Sequence, residues 1–299
     1  MNTDTPLPPD EPAGKNPPDG AIIDYYLGTE ASGAVTLEVL DSAGRPVRRY
    51  SSEDPVQPVD PMLAIPLYWV RPPQVLSKDP GMHRFLWDMH YTPVTRARSN
   101  FPMQAVAHDT PPAETSPSVM PGNYTIKLTV DGRAYTQPLT VKMDPRVHTS
   151  SAGLAQQFSV SKQVYDDVLA AAKALDQIRG LRAQLHDRAG QSAVSGELTA
   201  FDQKLAAIQG TGGFGRGGGG GRGAAPGPDT LTSVSATLSQ LLESLQNADV
   251  PPTTQAIAAV SDRRAALARL VQRWTALKTT DLGNLNERLK QEKLPVLTP

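Results

Sequence analysis

The sequence feature that most constrains the fold is a complete strand between two turns, from Pro121 to Gly132. A Pro-Gly pair precedes it, an Asp-Gly pair follows it, and apolar residues alternate with polar ones between them. The apolar set is Tyr124, Ile126, Leu128 and Val130. Alternation with a period of two indicates a strand with one buried face, and Asp-Gly favours a tight hairpin turn. The sequence therefore predicts antiparallel β-structure in the first half of the chain.

Four other segments before residue 147 have the composition or the alternation of strands. They are 21–27, 35–39, 46–51 and 83–91. In the last of these, Phe85, Trp87 and Met89 share one face, so we expect them in the core. About six or seven strands over 17–147 are typical of an immunoglobulin-like or fibronectin-like β-sandwich.

The rest of this region is rich in proline. Segments 54–80 and 92–120 hold many residues that cannot donate a ladder hydrogen bond. We therefore expect both segments to be loops, and the second is long enough to indicate a functional or flexible excursion. Residues 1–16 are expected to be a disordered lead-in.

From 150 to 295 the apolar period changes from two to between three and four, which predicts amphipathic helices. The predicted helices span about 151–188, 195–208, 231–245 and 257–277, with a short fifth helix from Asp281. Ser195 is the expected cap of the second helix. Because such narrow apolar stripes cannot stand alone, we expect an antiparallel bundle of about four helices. The chain is thus predicted to be an α+β protein of two domains.

A glycine-dominated tract, 210–227, interrupts the helical region. Arg216 and Arg222 lie in it without interleaved aromatics, so a plain linker explains the tract better than an arginine-glycine segment that binds nucleic acid. The formal net charge is -1, so no global field recruits nucleic acid. Nucleic acid is therefore not an expected partner.

Composition also bears on cellular location. The chain contains no cysteine, and it has no apolar run near the roughly 20 residues of a membrane span. The first residues are proline-rich and acidic, whereas a signal peptide begins with basic residues. We therefore expect neither a membrane span nor a signal peptide in this chain.

Ionisable residues give no convincing catalytic or metal-binding pattern. Strand alternation places His83 on the face opposite Asp88 and His90, which disfavours a shared metal site. Neighbouring acids such as Asp166 and Asp167 fit a solvated helix surface better than glycosidic acid–base chemistry. The expectation is no catalytic residue, no cofactor and no metal.

Tyr68 and Trp69 form the aromatic pair that we consider for ligand contact. They are adjacent in the proline-rich loop 54–80, away from any predicted apolar stripe. Exposed, rigid rings there would favour ligand binding, whereas burial would favour a scaffolding role.

Several motifs together resemble a known family. They are Asn16–Leu27, Leu40–Ser51, His83–Asp88, Pro121–Tyr124 with the following Val-Asp-Gly, Asp144–Val147 and Asp281–Asn286. They resemble the C-terminal part of large bacterial proteins that carry sortilin-like (VPS10-like), Asp-box β-propellers. These BNR-repeat proteins are often labelled glycosyl hydrolases. The Ser-x-Asp-x-Gly-x-x-Trp boxes of the propeller do not occur in this sequence.

The resemblance implies a non-catalytic accessory region that docks on a β-propeller, in cis or in trans, or on another protein. It also implies an exported parent, so the expected location is extracytoplasmic, either periplasmic or secreted. The alternative is a stand-alone module that binds a carbohydrate or surface polymer. A weaker alternative is an enzyme, which would require a pocket with convergent ionisable groups.

Overall fold

The computed structural model describes most of the chain, in the ranges 18–56, 63, 65–94, 101, 108–188, 194–210 and 228–299. The lead-in predicted at 1–16 and nearly all of the linker predicted at 210–227 lie outside these residues. The chain divides into two compact units, Met1–Phe158 and Ser159–Pro299.

Within its described residues, the first unit contains six strands and one short 3-10 turn, η1. Their bounds are β1 Ala21–Leu27, β2 Thr36–Leu40, β3 Pro46–Ser51, η1 Leu67–Trp69, β4 Gly81–Trp87, β5 Gly122–Val130 and β6 Arg133–Val141. β1 and β4 form an antiparallel two-stranded sheet. The other four form an antiparallel sheet in the order β3-β2-β5-β6.

The predicted hairpin is formed by β5 and β6. Its turn residues Asp131 and Gly132 have φ of 50° and 79°, the positive values that a tight type I′ turn requires. The Asp131 carboxylate also accepts hydrogen bonds from the Ser32 hydroxyl at 2.7 Å and the Gly33 N–H at 2.9 Å. These bonds lower the pKa of Asp131 and connect the hairpin turn to the segment before β2.

Both sheets contribute side chains to one apolar cluster. Its buried members are Tyr25, Leu27, Ala31, Val35, Leu37, Val39, Val47, Leu76, Phe85, Trp87, Tyr124 and Ile126. The predicted burial of Phe85 and Trp87 is confirmed, and both make edge-to-face contacts with aromatic rings of the other sheet. Trp87 is fully buried, and its ring centroid lies 5.7 Å from that of Tyr124.

The strand predicted over 83–91 is shorter in the structure. It ends at Trp87, because Met89 has a φ of 59°, which lies outside the β region. Met89 still packs against the apolar cluster, as the alternation predicted. The chain changes direction here while the side chain stays at the core.

The second unit is helical. The helices are α1 Ser151–His186, which begins in the first unit, α2 Ser195–Gln209, α3 Leu231–Gln246, α4 Thr254–Ala276 and α5 Leu282–Gln291. A π-helical turn, Leu277–Asp281, joins α4 to α5 without a break in helical backbone. None of the helices that the described residues form has both the length and the apolar character needed to cross a membrane.

Side-chain contacts give the helix directions. Asp229, just before α3, lies beside Arg263 near the middle of α4 and Arg269 in its second half, so the start of α3 lies away from the start of α4 and the two helices run antiparallel. Ser161 near the start of this unit bonds Gln246 at the end of α3, so α1 and α3 are also antiparallel.

The prediction of an antiparallel bundle left the relative direction of α1 and α4 open. Gln163 and Asp167 bond Arg264, and Gln177 bonds Trp274, so residue numbers increase together and α1 and α4 run in the same direction. Helix α3 runs in the direction opposite to both α1 and α4. The shorter α2 contacts α3, α4 and α5.

The helix caps also differ from the prediction in one place. Ser195 is the first residue of α2, and Val194 occupies the cap position without a side-chain bond. Thr230 caps α3 in a reciprocal arrangement with Ser233, and Thr253 caps α4 through the Ala256 N–H.

Buried tyrosines predict how the first unit responds to alkali. Burial raises the pKa of Tyr124 to about 12 and raises the pKa of Tyr25 and Tyr50. Because the folded pKa lies above the unfolded value of about 10, their stabilising effect is complete below pH 10 and is lost as pH rises further.

We therefore expect the stability advantage of the wild type over Tyr124→Phe to fall by about 1 kcal/mol between pH 9 and pH 11. Urea unfolding of the full chain at several pH values measures this difference. Tyr26→Phe is the matched control, because Tyr26 lies on β1 with 68% of its surface exposed. Equal pH profiles for the two variants would contradict the prediction.

Candidate functional site

The aromatic pair Tyr68 and Trp69 lies in the turn η1. The backbone carbonyls of both residues accept hydrogen bonds at 2.9 Å, Tyr68 from the His108 N–H and Trp69 from the Thr110 N–H. Arg71 continues the pairing through Thr110 and forms an ion pair with Asp109 at 2.7 Å. These contacts hold the turn against residues 108–110.

The two rings of this pair differ in exposure. Tyr68 is 51% exposed, whereas Trp69 is half-buried. The rings meet edge to face, with centroids 6.1 Å apart and an angle of 84°. The buried indole N–H of Trp69 has no hydrogen-bond partner in the part of the chain that the structure describes. With Tyr68 open and Trp69 half-buried, the pair offers a ligand a smaller stacking surface than two open rings would offer.

A second feature is the outer face of the β1–β4 sheet, which we define as Ile22, Asp24, Tyr26, Met82, Arg84 and Leu86. Register pairs these residues across the sheet as Ile22 with Leu86, Asp24 with Arg84, and Tyr26 with Met82. Ile22, Tyr26 and Met82 are 46%, 68% and 72% exposed. The outer face therefore consists of a central ion pair that is flanked on each side by an apolar cross-strand pair.

The ion pair on this face is bidentate. Arg84 donates from Nε and Nη2 to the two carboxylate oxygens of Asp24, at 2.8 and 2.9 Å. Hydrogen bonding between the two side chains lowers the pKa of Asp24 and raises that of Arg84. Both groups stay charged at neutral pH, yet together they add no net charge to the face.

Sequence reasoning did not single out this face, although a signal was present. β1 reads Ala-Ile-Ile-Asp-Tyr-Tyr-Leu, with large apolar residues at both odd and even positions. Such a pattern is typical of a strand that is covered on both sides. In the structure, one side faces the core and the other carries the exposed residues Ile22 and Tyr26.

The structure also brings His90 beside Ser118, although they are 28 residues apart. The Nδ1–H of His90 donates to the Asp88 carbonyl at 2.7 Å, because a carbonyl can only accept. In the neutral ring, Nε2 then accepts from the Ser118 hydroxyl at 3.1 Å. This contact matches that of a nucleophile with its general base.

The surroundings of this pair favour a structural role. The neighbouring N–H groups of Tyr91 and Val119 already bond Pro117 and Met89, and the His90 N–H bonds the Asp88 carboxylate. None of these three donors is therefore available to stabilise an oxyanion. His90 and Ser118 are cross-strand neighbours in an isolated antiparallel bridge, which is sufficient to explain their contact.

The helical unit contains a cavity of about 310 Å³ between α1 and α2. It is lined by Arg182, Leu185, His186, Leu198, Thr199 and Asp202. Arg182 is already bonded to Asp202 and Gln209, so its charge is compensated within the protein. The cavity therefore offers little electrostatic attraction for a charged ligand.

Metal-ligating side chains do not cluster in the described part of the chain, where no group of three or more histidine, aspartate or glutamate residues is arranged to hold a metal ion. Comparisons with family models, curated proteins and solved structures found no match to this chain. The resemblance to sortilin-like propeller proteins therefore stays a prediction.

The contacts of Ser118 predict that it does not react as an activated nucleophile. We expect a fluorophosphonate probe to label the wild type no faster than it labels Ser118→Ala, because the neighbouring N–H groups of His90, Tyr91 and Val119 are already bonded within the protein. Intact-mass measurement after incubation gives the extent of labelling. Labelling of the wild type that Ser118→Ala abolishes would show that the pair is catalytic.

Proposed function

We propose that this chain is a non-catalytic interaction module whose first unit docks on another protein through the outer face. In this proposal, the two sheets pack face to face as an immunoglobulin-like sandwich. The shared apolar cluster and the aromatic contacts between the sheets support that arrangement. The outer face then lies on the opposite side of β1 and β4 from the core.

The observation that carries the proposal is the exposure of Ile22, Tyr26 and Met82 on one small sheet. A single exposed apolar residue is ordinary, but several large apolar side chains that lie next to one another on paired strands often mark an interaction surface. Tyrosine and methionine are also enriched at protein interfaces. The bidentate ion pair in the middle supplies polar specificity without net charge.

The proposed partner is an Asp-box β-propeller, present in the same parent protein or as a separate chain. The motif resemblance supports this choice, since the motifs occur beside such propellers in the family. The parent would be exported, so the proposed location is periplasmic or extracellular. The helical unit would extend the same accessory region.

The docking proposal is tested with an Asp-box propeller from the same parent protein or, where none is fused to this chain, with one from a separate chain of the same source. Tyr26→Glu and Met82→Glu should each weaken binding of the full chain to that propeller about tenfold or more, because each places a charge in an apolar contact. Isothermal titration calorimetry measures the change in Kd. Tyr135→Glu is the matched control, because Tyr135 is a similarly exposed tyrosine on β6.

Two outcomes would contradict docking through the outer face. One is a full chain that binds no Asp-box propeller, whether the propeller is part of the same parent protein or a separate chain from the same source. The other is binding by Tyr26→Glu and Met82→Glu that equals binding by the wild type and by Tyr135→Glu.

The alternative function, binding of a carbohydrate or surface polymer, is favoured by the exposed ring of Tyr68. In that case, Tyr68→Ala should lose binding to glycans on an array, since stacking on the ring supplies much of the contact. Tyr26→Ala should bind the same glycans as the wild type. Glycan binding that survives in Tyr68→Ala would exclude this site.

A further inference from the structure

The two edges of the β1–β4 sheet differ. On the β4 edge, the Leu86 N–H donates to the side-chain oxygen of Gln74 at 3.0 Å, so this group points away from β1. Leu86 lies opposite Ile22 in the register. Ile22 and Leu86 are therefore a pair whose backbone groups point outward, away from each other.

This relation determines the direction of every backbone group on β1. In an antiparallel ladder, the N–H and C=O of one residue point to the same side, and the side alternates along the strand. Ile22, Asp24 and Tyr26 therefore direct their backbone groups to the open edge, while Ile23 and Tyr25 bond β4. None of the described residues forms a backbone hydrogen bond with that open edge.

The same three residues carry the β1 half of the outer face. The open edge and the exposed apolar side chains of Ile22 and Tyr26 thus belong to one continuous surface. Natural proteins usually protect an edge strand with charge, proline or a covering loop. β1 has one charge in its middle, Asp24, and that charge is already engaged by Arg84.

We infer that the open edge of β1 accepts an extended segment of a partner protein as a third, antiparallel strand. This inference rests on the proposed function and names the way in which the partner is bound. Backbone hydrogen bonds to Ile22, Asp24 and Tyr26 would supply much of the affinity. Apolar partner side chains would lie opposite Ile22 and Tyr26, and a lysine or arginine would lie opposite Asp24.

Charge distinguishes this partner from a second copy of the chain. Two copies of β1 that pair antiparallel with full overlap would place Asp24 opposite Asp24, and like charges in that position destabilise pairing. A basic residue of the partner would instead lie beside Asp24 and extend the row of alternating charges that Arg84 and Asp24 begin. The Asp24 side chain is 43% exposed, so its oxygens can accept further hydrogen bonds.

A designed peptide tests the edge directly. The probe is acetyl-Thr-Val-Thr-Lys-Thr-Val-Thr-amide, whose lysine and two valines share one face in an extended strand. Added to the ¹⁵N-labelled full chain, it should shift the amide signals of Ile22, Asp24 and Tyr26 and slow their hydrogen exchange. The Ile23 and Tyr25 amides, which already bond β4, should change little in exchange rate. A peptide with glutamate in place of lysine should bind roughly fivefold more weakly.

Two variants at one position separate the backbone from the charge. Asp24→Pro removes an outward N–H without removing a β1–β4 hydrogen bond, so the sheet should be retained and peptide binding should fall at least tenfold. Asp24→Ala keeps the N–H, so it should still bind, with no preference between the lysine and glutamate peptides. An unchanged indole signal of Trp87 checks that each variant is folded.

The possible outcomes are distinguishable. Peptide shifts elsewhere, no binding by the wild type, or equal binding by Asp24→Pro and Asp24→Ala would each overturn the strand-addition model. Concentration-dependent shifts of the Ile22, Asp24 and Tyr26 amides without peptide would show that a second copy takes the edge. Propeller binding that Tyr26→Glu abolishes and Asp24→Pro leaves intact would keep the proposed function and reject this binding mode.

Discussion

The first unit depends on the burial of Trp87 in the apolar cluster to which both small sheets contribute side chains. A two-stranded sheet is marginal in water, so β1 and β4 need the apolar cluster that they share with the other four strands. The local backbone is adapted to this packing. The Trp87 indole donates to the His90 carbonyl across the turn that contains Met89. At Gly20, a Cβ atom would lie 2.5 Å from the Trp87 carbonyl, so only glycine fits there.

This core also explains why Ile22, Tyr26 and Met82 on the outer face are exposed. The inward side chains of β1 and β4 are committed to the cluster, and Gln74 covers part of the β4 edge. In the docking proposal, a partner binds the opposite side of both strands and the edge of β1. Because the packed cluster already holds these strands, such a partner would meet a preformed surface and would bind at little conformational cost.

The helical unit shows which features an apolar repeat in the sequence can predict and which it cannot. The apolar spacing predicted each main helix within a few residues, since the period of 3.6 is a local property of the chain. It did not predict the parallel direction of α1 and α4, which depends on contacts such as that between Asp167 and Arg264. Nor did it predict the π-helical turn at Leu277–Asp281. The sequence pattern predicted a break between the fourth and fifth helices, whereas in the structure the helical backbone continues from α4 into α5.

The sequence by itself determined where strands and helices lie and which side of β4 and β5 is buried, because alternation is written into neighbouring residues. Only the tertiary structure decided that β1 pairs with β4, that His90 contacts Ser118, and that Tyr68 is open while Trp69 is half-buried. These outcomes depend on residues far apart in the chain. For the same reason, the outer face became visible only when Ile22, Asp24 and Tyr26 were placed beside Met82, Arg84 and Leu86. A local pattern shows that a side chain needs a neighbour, and the fold decides which neighbour it receives.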